Sequence, residues 1–435
     1  MKRTLIRDLP KKIGKTVLLQ GWVQDVRNLS KIKFVILRDR SGSMQTVALQ
    51  QETQEKVFNR INELVPESVV AITGKVKENK ESRYGVEVLI QKITILSTAA
   101  VPLPIDNSDK STTHIDKRID YRFLDTRNAK HQAIFKVRSK IARILTDFFD
   151  KNGFININTP KLTTIGVESG AELFQVNYFG KPVYLSQSPQ VYKQMFVVGG
   201  FERVYEIAPI FRAEKSNTTR HLTEFTGVDM EMGFIRDETE IMAVIQSMII
   251  YLLKKLNKEV AGELTLLGVA HTIPKTIPRI TMKEAKEMLA AKGKSYGVDD
   301  DLDAEGERLL GQLVKEKYNS EFVFVTRFPW AVRPFYHRKP EDDPKTTKSF
   351  DLLFNGVEIA TGAQREHRYE ILKAQAAEKG LNLDSMTKYA EIFRYGVPPH
   401  GGVGFGLDRI TQRLLGLENV REAVLLPRDP ERSSP

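Results

Sequence analysis

Apolar and polar residues alternate with a two-residue period through most of the first hundred positions, then change to a helical period near residue 130. TVLLQGWVQDVR (16–27), KFVILRDRSG (33–42), SMQTVALQ (43–50), SVVAITGKVKEN (68–79) and YGVEVLIQKITIL (84–96) are β-rich and separated by Gly or polar turns, which predicts five strands. QETQEKVFNRINEL (51–64) predicts a helix between the third and fourth. PLPIDNSDKSTTH (102–114) reads as a Pro- and Ser/Thr-rich link. From 130 the spacing of Ile134, Val137, Ile141, Ile144, Leu145 and Phe148 lays one apolar stripe along a helix. Asn152-Gly153 ends that helix, and FININTPKL follows as a strand closed by Pro160. Strands and helices then mix without a βαβ rhythm.

Five strands with a helix after the third is the order of a small oligonucleotide-binding (OB) barrel. The expected fold class is therefore α+β: a five-stranded barrel over 1–103, a hinge or linker over 104–130, and one domain over 131–435 on an antiparallel sheet flanked by helices. A chain of 435 residues is long enough for two such cores. The longest apolar run, IMAVIQSMIIYLL (241–253), is too short and too interrupted to span a bilayer and reads as a buried helix. MKRTLIRDLPKK has no apolar segment behind its charges, so no secretory signal is expected and a cytoplasmic location fits best. Zero cysteines exclude disulfides, thiolate chemistry and Cys-ligated zinc, and the seven histidines lack HExxH-type spacing. Net charge is +11, and residues 1–103 hold 18 Lys and Arg against 10 Asp and Glu. That concentration suits a polyanion partner, the alternative being a solvated basic surface.

Three stretches carry candidate chemistry. RVYEIAPIFRAE (203–214) and LTEFTGVDMEMGF (222–234) read as a hairpin around a polar loop. Side chains alternate across a strand, so Arg212 and Glu214 share a face, as do Phe225, Gly227, Asp229 and Glu231. If the two faces coincide, Arg212 can hold a phosphate, Glu214 can accept from an amino group and Phe225 can stack on a base. The alternative is a hairpin whose charges pair with one another. In GGVGFGLDRI (401–410) the third glycine of a dinucleotide fingerprint is missing, since Leu407 stands there. Gly404 and Gly406 instead allow a ligand to approach closely, and Arg409 at a helix start can stack on a ring and reach a phosphate. In FDLLFNGVEIATGAQREHR (350–368), Asp351 and Glu358 flank the Asn355-Gly356 turn. Such a pair suits magnesium when phosphates complete the shell, although exposed acids on a hairpin are the commoner case. Arg365 adds an anion-binding candidate.

These stretches, in this order, resemble motifs 1, 2 and 3 of the class II aminoacyl-tRNA synthetases: a helix and strand ending at Pro160, FRAE with its loop and Phe225, and GFGLDR. With the barrel in front, the chain is similar to the aspartyl/asparaginyl/lysyl subgroup. SQSPQVYKQ (186–194), GVDMEM (227–232), GAQREHR (362–368) and LLPRDPERSSP at the end resemble its aspartyl members. No large insertion separates motifs 2 and 3, as in the compact archaeal and eukaryotic type. The resemblance covers essentially the whole chain.

The resemblance implies roles. Arg212 would be the catalytic arginine, on the ATP α-phosphate and the amino-acid carboxylate. Glu214 would meet the adenine amino group, with Phe225 and Arg409 on its two faces. Arg220 and His221 would meet the outer phosphates, and Leu222, Gly406, Leu407 and Asp408 would complete the ATP site with Glu358. Asp351, Glu358 and Thr361 would hold Mg²⁺, Thr361 standing where serine is more usual. Glu168 in GVESGAELF would lie on a mobile loop over the amino acid, and Gln190 and Asp229 would receive its ammonium group. A side-chain carboxylate taken from water needs opposing charge. Lys193 and Arg365 would supply it, which suits L-aspartate and not lysine; the related asparaginyl enzymes do not keep this lysine. On the barrel, Phe34, Gln45, Arg83 and Glu87 would read the anticodon of tRNA(Asp), with Arg27, Lys33 and Arg83 near phosphates. Whether tRNA(Asn) is also accepted is open, with Gln24 and Arg83 near where that choice would be made. A homodimer built on motif 1 is expected. The rival readings are an asparaginyl enzyme and a non-catalytic tRNA-binding paralogue.

Overall fold

The computed structural model describes residues 1–82, 84–164, 173–215 and 218–434, without the side chains of 384, 385 and 387. Glu168 and Arg83 thus lie outside the described residues. The chain divides into two compact units, Met1–Asp106 and Asn107–Pro435.

In the first unit the alternation becomes strands β1 (Thr16–Leu29), β2 (Ile32–Asp39), β3 (Gly42–Leu49), β4 (Val69–Glu78) and β5 (Val86–Ser97). They close as a barrel in the order β1-β2-β3-β5-β4, with β3 and β5 the parallel pair that completes the ring. Every second residue points inward, so Val35, Leu37, Val70, Ile72, Val88 and Ile90 fill the centre. The helical stretch between β3 and β4 is Glu55–Arg60 followed by a short 3₁₀ turn.

The second unit is built on an eight-stranded sheet. Its strands are β6 (Ile155–Asn156), β10 (Arg203–Phe211), β11 (Glu224–Gly233), β12 (Arg279–Thr281), β13 (Phe322–Thr326), β14 (Ser349–Phe354), β15 (Glu358–Gln364) and β16 (His400–Gly406). Strands β7 (Leu162–Thr163), β8 (Gln175–Tyr178) and β9 (Lys181–Leu185) form a separate small sheet. The large sheet runs β12-β13-β14-β15-β16-β11-β10-β6, antiparallel except at its two ends, where β12–β13 and β10–β6 are parallel. The FININTPKL segment contributes only the two-residue β6. Segment 104–130, expected as a linker, contains the helices Ile115–Asp120 and Arg122–Asp125 within the second unit. Arg122 donates to the carbonyls of Arg421, Val424 and Leu425, which fastens this segment to the end of the chain.

The helix Ala129–Lys151 starts at Asn128, whose side chain accepts from the Lys130 and His131 amides, and buries the stripe seen in the sequence. The 241–253 run lies in the helix Glu238–Glu259, capped by Asp237, with Ile241, Ile245, Ile249, Leu252 and Leu256 in the same core. Among the described residues no helix is long and apolar enough to cross a membrane.

Candidate active site

Strands β10 and β11 pair with Ala208 opposite Gly227 and Ile210 opposite Phe225, and Arg212 continues the ladder by donating its amide to Thr223 O at 2.9 Å. The two faces of the hairpin therefore coincide. Arg212, Glu214, Arg220, His221, Leu222 and Phe225 line one cavity of about 400 Å³, together with Gln190, Lys193, Asp229, Glu358, Thr361, Arg365, Gly406, Asp408 and Arg409. Residues spread over 220 positions of sequence meet there because β11, β16 and β15 are neighbours in the sheet.

The glycines of β16 have a structural reason. Glu231 pairs with Gly402 and Asp229 with Gly404. A Cβ on Gly402 would stand 2.0 Å from the Glu231 carboxylate, so no larger residue leaves room for that group. Glu231 is wholly buried. It accepts from Arg365 Nε at 3.0 Å and lies 3.4 Å from Lys193 Nζ. Burial pushes its carboxyl up, but the Arg365 guanidinium and Lys193 ammonium outweigh that and hold it below the ordinary carboxylate value. Lys193 also donates to Asp229 Oδ1 at 3.0 Å, and Arg365 Nη2 to Gln190 Oε1 at 3.1 Å. The Gln190 carbonyl is thus already engaged, and its buried Nε2 has no partner. This is the chemistry of a carboxylate pocket: two cations held from behind, with an amide donor beside them.

His337, absent from the sequence reading, completes the pocket. Arg365 Nη1 stands 3.1 Å from its Nε2, so that nitrogen is the acceptor and Nδ1 carries the proton, buried and without a partner. Burial, followed by the charge of Arg365 and Arg333, holds its pKa well below the ordinary value, so the imidazole stays neutral.

Elsewhere in the cavity, the Arg212 guanidinium lies 5.5 Å from the Phe225 ring centroid, and His221 Nε2 is 3.9 Å from Glu214. Arg409 donates to the Glu358 carbonyl at 3.0 Å, and Thr361 Oγ1 to Glu358 Oε1 at 3.1 Å. Arg220 is held at 3.1 Å by Glu307 of the helix Ala304–Tyr318. Burial and the nearby Glu358 charge push Glu307 up to about 7.

Two expectations, Leu407 and Lys33, need correction. Leu407 packs in the hydrophobic core, because the helix Leu407–Leu414 turns its apolar face inward. Asp408 lines the cavity, and its carboxylate accepts from Arg138 at 2.6 and 2.8 Å and from the Thr226 amide at 2.8 Å. Its carboxylate anchors the helix that carries Arg409. Asp351 remains a metal-ligand candidate: it is buried and its Oδ2 pairs with Arg333 at 2.6 Å, which leaves Oδ1 for a cation. On the barrel, Lys33 is buried and its ammonium is taken up by Phe58 O at 2.8 Å and Asn62 Oδ1 at 2.6 Å.

The register of β2 and β3 sets Phe34 opposite Val47 and Ile36 opposite Gln45, so Phe34 and Gln45 share the barrel's outer face. Glu87 alternates with the buried Val86 and Val88 and accepts from Asn79 at 2.8 Å. Arg27 is exposed and pairs with Asp25.

The acids of β14 and β15 fit a divalent ion on two observations. Asp351 Oδ1 is buried without a hydrogen-bond partner. Burial and Glu358, opposed by Arg333, push the Asp351 carboxyl up to about 7, a charge that a cation would stabilise. Among the described residues no group of three or more His, Asp or Glu could enclose a metal alone. That suits magnesium, which commonly takes one or two carboxylates and completes its shell with phosphates.

The sequence reading missed Arg333, His337, Glu307 and the role of Glu231. The signal for the first two was a dense Arg-aromatic-His run, WAVRPFYHRKP (330–340). Glu307 lies on an ordinary charged helix and had none.

A chain that carries both an oligonucleotide-binding type of barrel and, in its second unit, a cavity lined by cations, carboxylates and an aromatic ring on an antiparallel sheet has the parts of an enzyme that joins an amino acid to a nucleic acid. Residues 114–430 match the family of tRNA synthetases class II (D, K and N), and 17–96 match the OB-fold nucleic acid binding domain. The chain belongs to that class II family. It is 43% identical over 423 residues to the aspartate–tRNA(Asp) ligase of Pyrococcus abyssi, covering 97% of each chain. It is 42% identical to the aspartate–tRNA(Asp/Asn) ligase of Aeropyrum pernix, over 97% of this chain and 96% of that one. The asparaginyl-tRNA synthetase of Pyrococcus horikoshii complexed with asparaginyl-adenylate superimposes with a TM-score of 0.94 at 31% identity, covering 100% of both chains.

Proposed function

We infer that this protein is an aspartate–tRNA ligase, acting in the cytoplasm on ATP, L-aspartate and tRNA(Asp). The observation that carries the aspartate assignment is the pair Lys193 and Arg365, held by Glu231 at the floor of the cavity and facing the unpartnered donors of Gln190 and His337. Relatives at 42–43% identity are aspartate ligases, which agrees with that chemistry.

The aspartate side-chain carboxylate sits against Lys193 and Arg365, with its ammonium group toward Asp229. ATP lies with adenine between Phe225 and Arg409, its amino group on Glu214 and its outer phosphates toward Arg220 and His221. Magnesium, when bound by Asp351, Glu358 and Thr361, neutralises phosphate charge. Arg212 brings the aspartate α-carboxylate and the α-phosphate together. A carboxylate oxygen attacks the α-phosphorus, the bond to the β-phosphate breaks, and pyrophosphate leaves. The terminal 3′-hydroxyl of the tRNA then attacks the carbonyl of aspartyl-adenylate, and AMP leaves. Positioning and charge stabilisation perform the catalysis without a side-chain nucleophile. Phe34, Gln45 and Glu87, with Arg83, form the anticodon-reading set on the barrel.

ATP–pyrophosphate exchange driven by aspartate and not asparagine tests the assignment, and the reverse preference would make this an asparaginyl enzyme. Lys193→Met is expected to raise KM for aspartate by on the order of 100-fold, from the loss of about 3 kcal/mol of charge-assisted hydrogen bonding. Its relatives differ in tRNA range, so charging purified tRNA(Asp) and tRNA(Asn) side by side defines that of this enzyme.

The functional unit is a homodimer. The sheet ends at the two-residue strand β6, where Ile155 is exposed, and Phe201 and Phe234 are exposed at the ends of β10 and β11. An edge so short and apolar is the kind that proteins cover. Light scattering is expected to give twice the chain mass of 49.5 kDa; a single-chain mass would refute the dimer.

A further inference from the structure

A second cavity, of about 390 Å³, adjoins the active site through Arg220, which lines both. It lies between the helix Ala304–Tyr318, the turn at Asn355-Gly356 and the helix Leu407–Leu414. Arg220, Arg308, Lys315 and Arg413 line it, against Glu418 alone among acids. Arg308 and Lys315 stand seven apart and so share one face of their helix. That helix is pressed onto the turn: a Cβ on Gly311 would come within 2.4 Å of the Gly356 amide nitrogen.

The positive charge here is only partly compensated: Glu307 pairs with Arg220 at 3.1 Å. Among the described residues Arg308 has no carboxylate partner, and Lys315 has only Glu321 at 3.4 Å in an exposed pair. Arg413 donates to the Asn355 carbonyl at 3.2 Å, while its Nε is buried without a partner. Burial, followed by the charge of Arg220, lowers the Arg413 pKa. Arg308 and Lys315 are exposed and Arg220 and Arg413 half-buried, and all four line the same concavity, which focuses their field on it.

We propose that this cavity is a phosphoanion subsite that receives inorganic pyrophosphate as it leaves the active site. The inference rests on the aspartate-activation reading, since pyrophosphate is the product formed beside Arg220. Arg220 sits at the junction of the two cavities and contacts the departing anion first. Arg308, Lys315 and Arg413 then hold it clear of the α-phosphate position.

The test is Arg308→Ala/Lys315→Ala in the full-length enzyme. In the exchange reaction, KM for pyrophosphate is expected to rise at least tenfold, with KM for ATP and for aspartate within twofold of wild type. Calorimetric titration with pyrophosphate alone should show one fewer binding equivalent per chain than wild type. The charge-preserving Arg308→Lys/Lys315→Arg variant should behave as wild type in both. An unchanged pyrophosphate KM and stoichiometry would overturn the proposal. So would an effect confined to KM for tRNA, which would assign these cations to the nucleic-acid backbone. A wild-type enzyme that binds pyrophosphate with the double-Ala difference but exchanges none with either amino acid would sink the ligase reading and leave the subsite standing.

Discussion

Arg212→Ala is expected to lower the rate of aspartyl-adenylate formation by roughly three orders of magnitude, on the scale of removing a transition-state arginine in phosphoryl transfer. Charge develops on the α-phosphate oxygens as the carboxylate attacks, and Arg212 is the cation that follows the β10 ladder into the cavity beside Phe225. ATP binding should weaken far less, because Phe225, Glu214 and Arg409 remain to hold the base. Single-turnover formation of the adenylate separates the two effects. A variant that forms adenylate at near the wild-type rate, with only ATP affinity reduced, would remove Arg212 from the catalytic role.

Glu231→Gln should destabilise the free enzyme by roughly 3–5 kcal/mol, the usual cost of breaking a buried ion pair by removing one partner. The side chain keeps its volume, so the effect comes from charge: of two almost wholly buried cations, Lys193 keeps Asp229, while Arg365 loses the carboxylate it pairs with among the described residues. Aspartate brings a carboxylate to the same cations, so it should raise the unfolding temperature of the variant more than that of wild type. The pH dependence has a definite sign. Glu231 has a folded pKa below its ordinary 4.5, so its contribution is fully present above that value and is lost as pH falls through the folded pKa. The wild type and Glu231→Gln should therefore differ in stability at neutral pH and converge in strong acid. Equal unfolding temperatures at pH 7 would show that Glu231 is not the counter-charge of the pocket.

Much of the site was legible because it is local. On one strand a period of two puts Phe225, Gly227, Asp229 and Glu231 on a face without any tertiary information. The Gly-rich β16 and the start of the following helix are likewise a single continuous stretch. What local reading mistook or could not reach were residues whose neighbours are distant in sequence. Lys33 looked like a phosphate binder on an alternating strand until the helix Glu55–Arg60 and its following turn supplied a carbonyl and an amide to take up its ammonium. Asp408 lines the cavity, but its partner Arg138 is 270 residues away and could not be read locally.

The amino-acid order by itself determined the barrel's strands, the amphipathic helix from Ala129 and the charged and aromatic residue types that line the cavity, because periodicity and turn chemistry act over a few residues. Only the tertiary structure decided how the charges are shared. Glu231 holds an arginine 134 residues away, and Glu307 an arginine 87 residues away. Coulombic interaction depends on separation in space and on burial, and neither is written in local sequence.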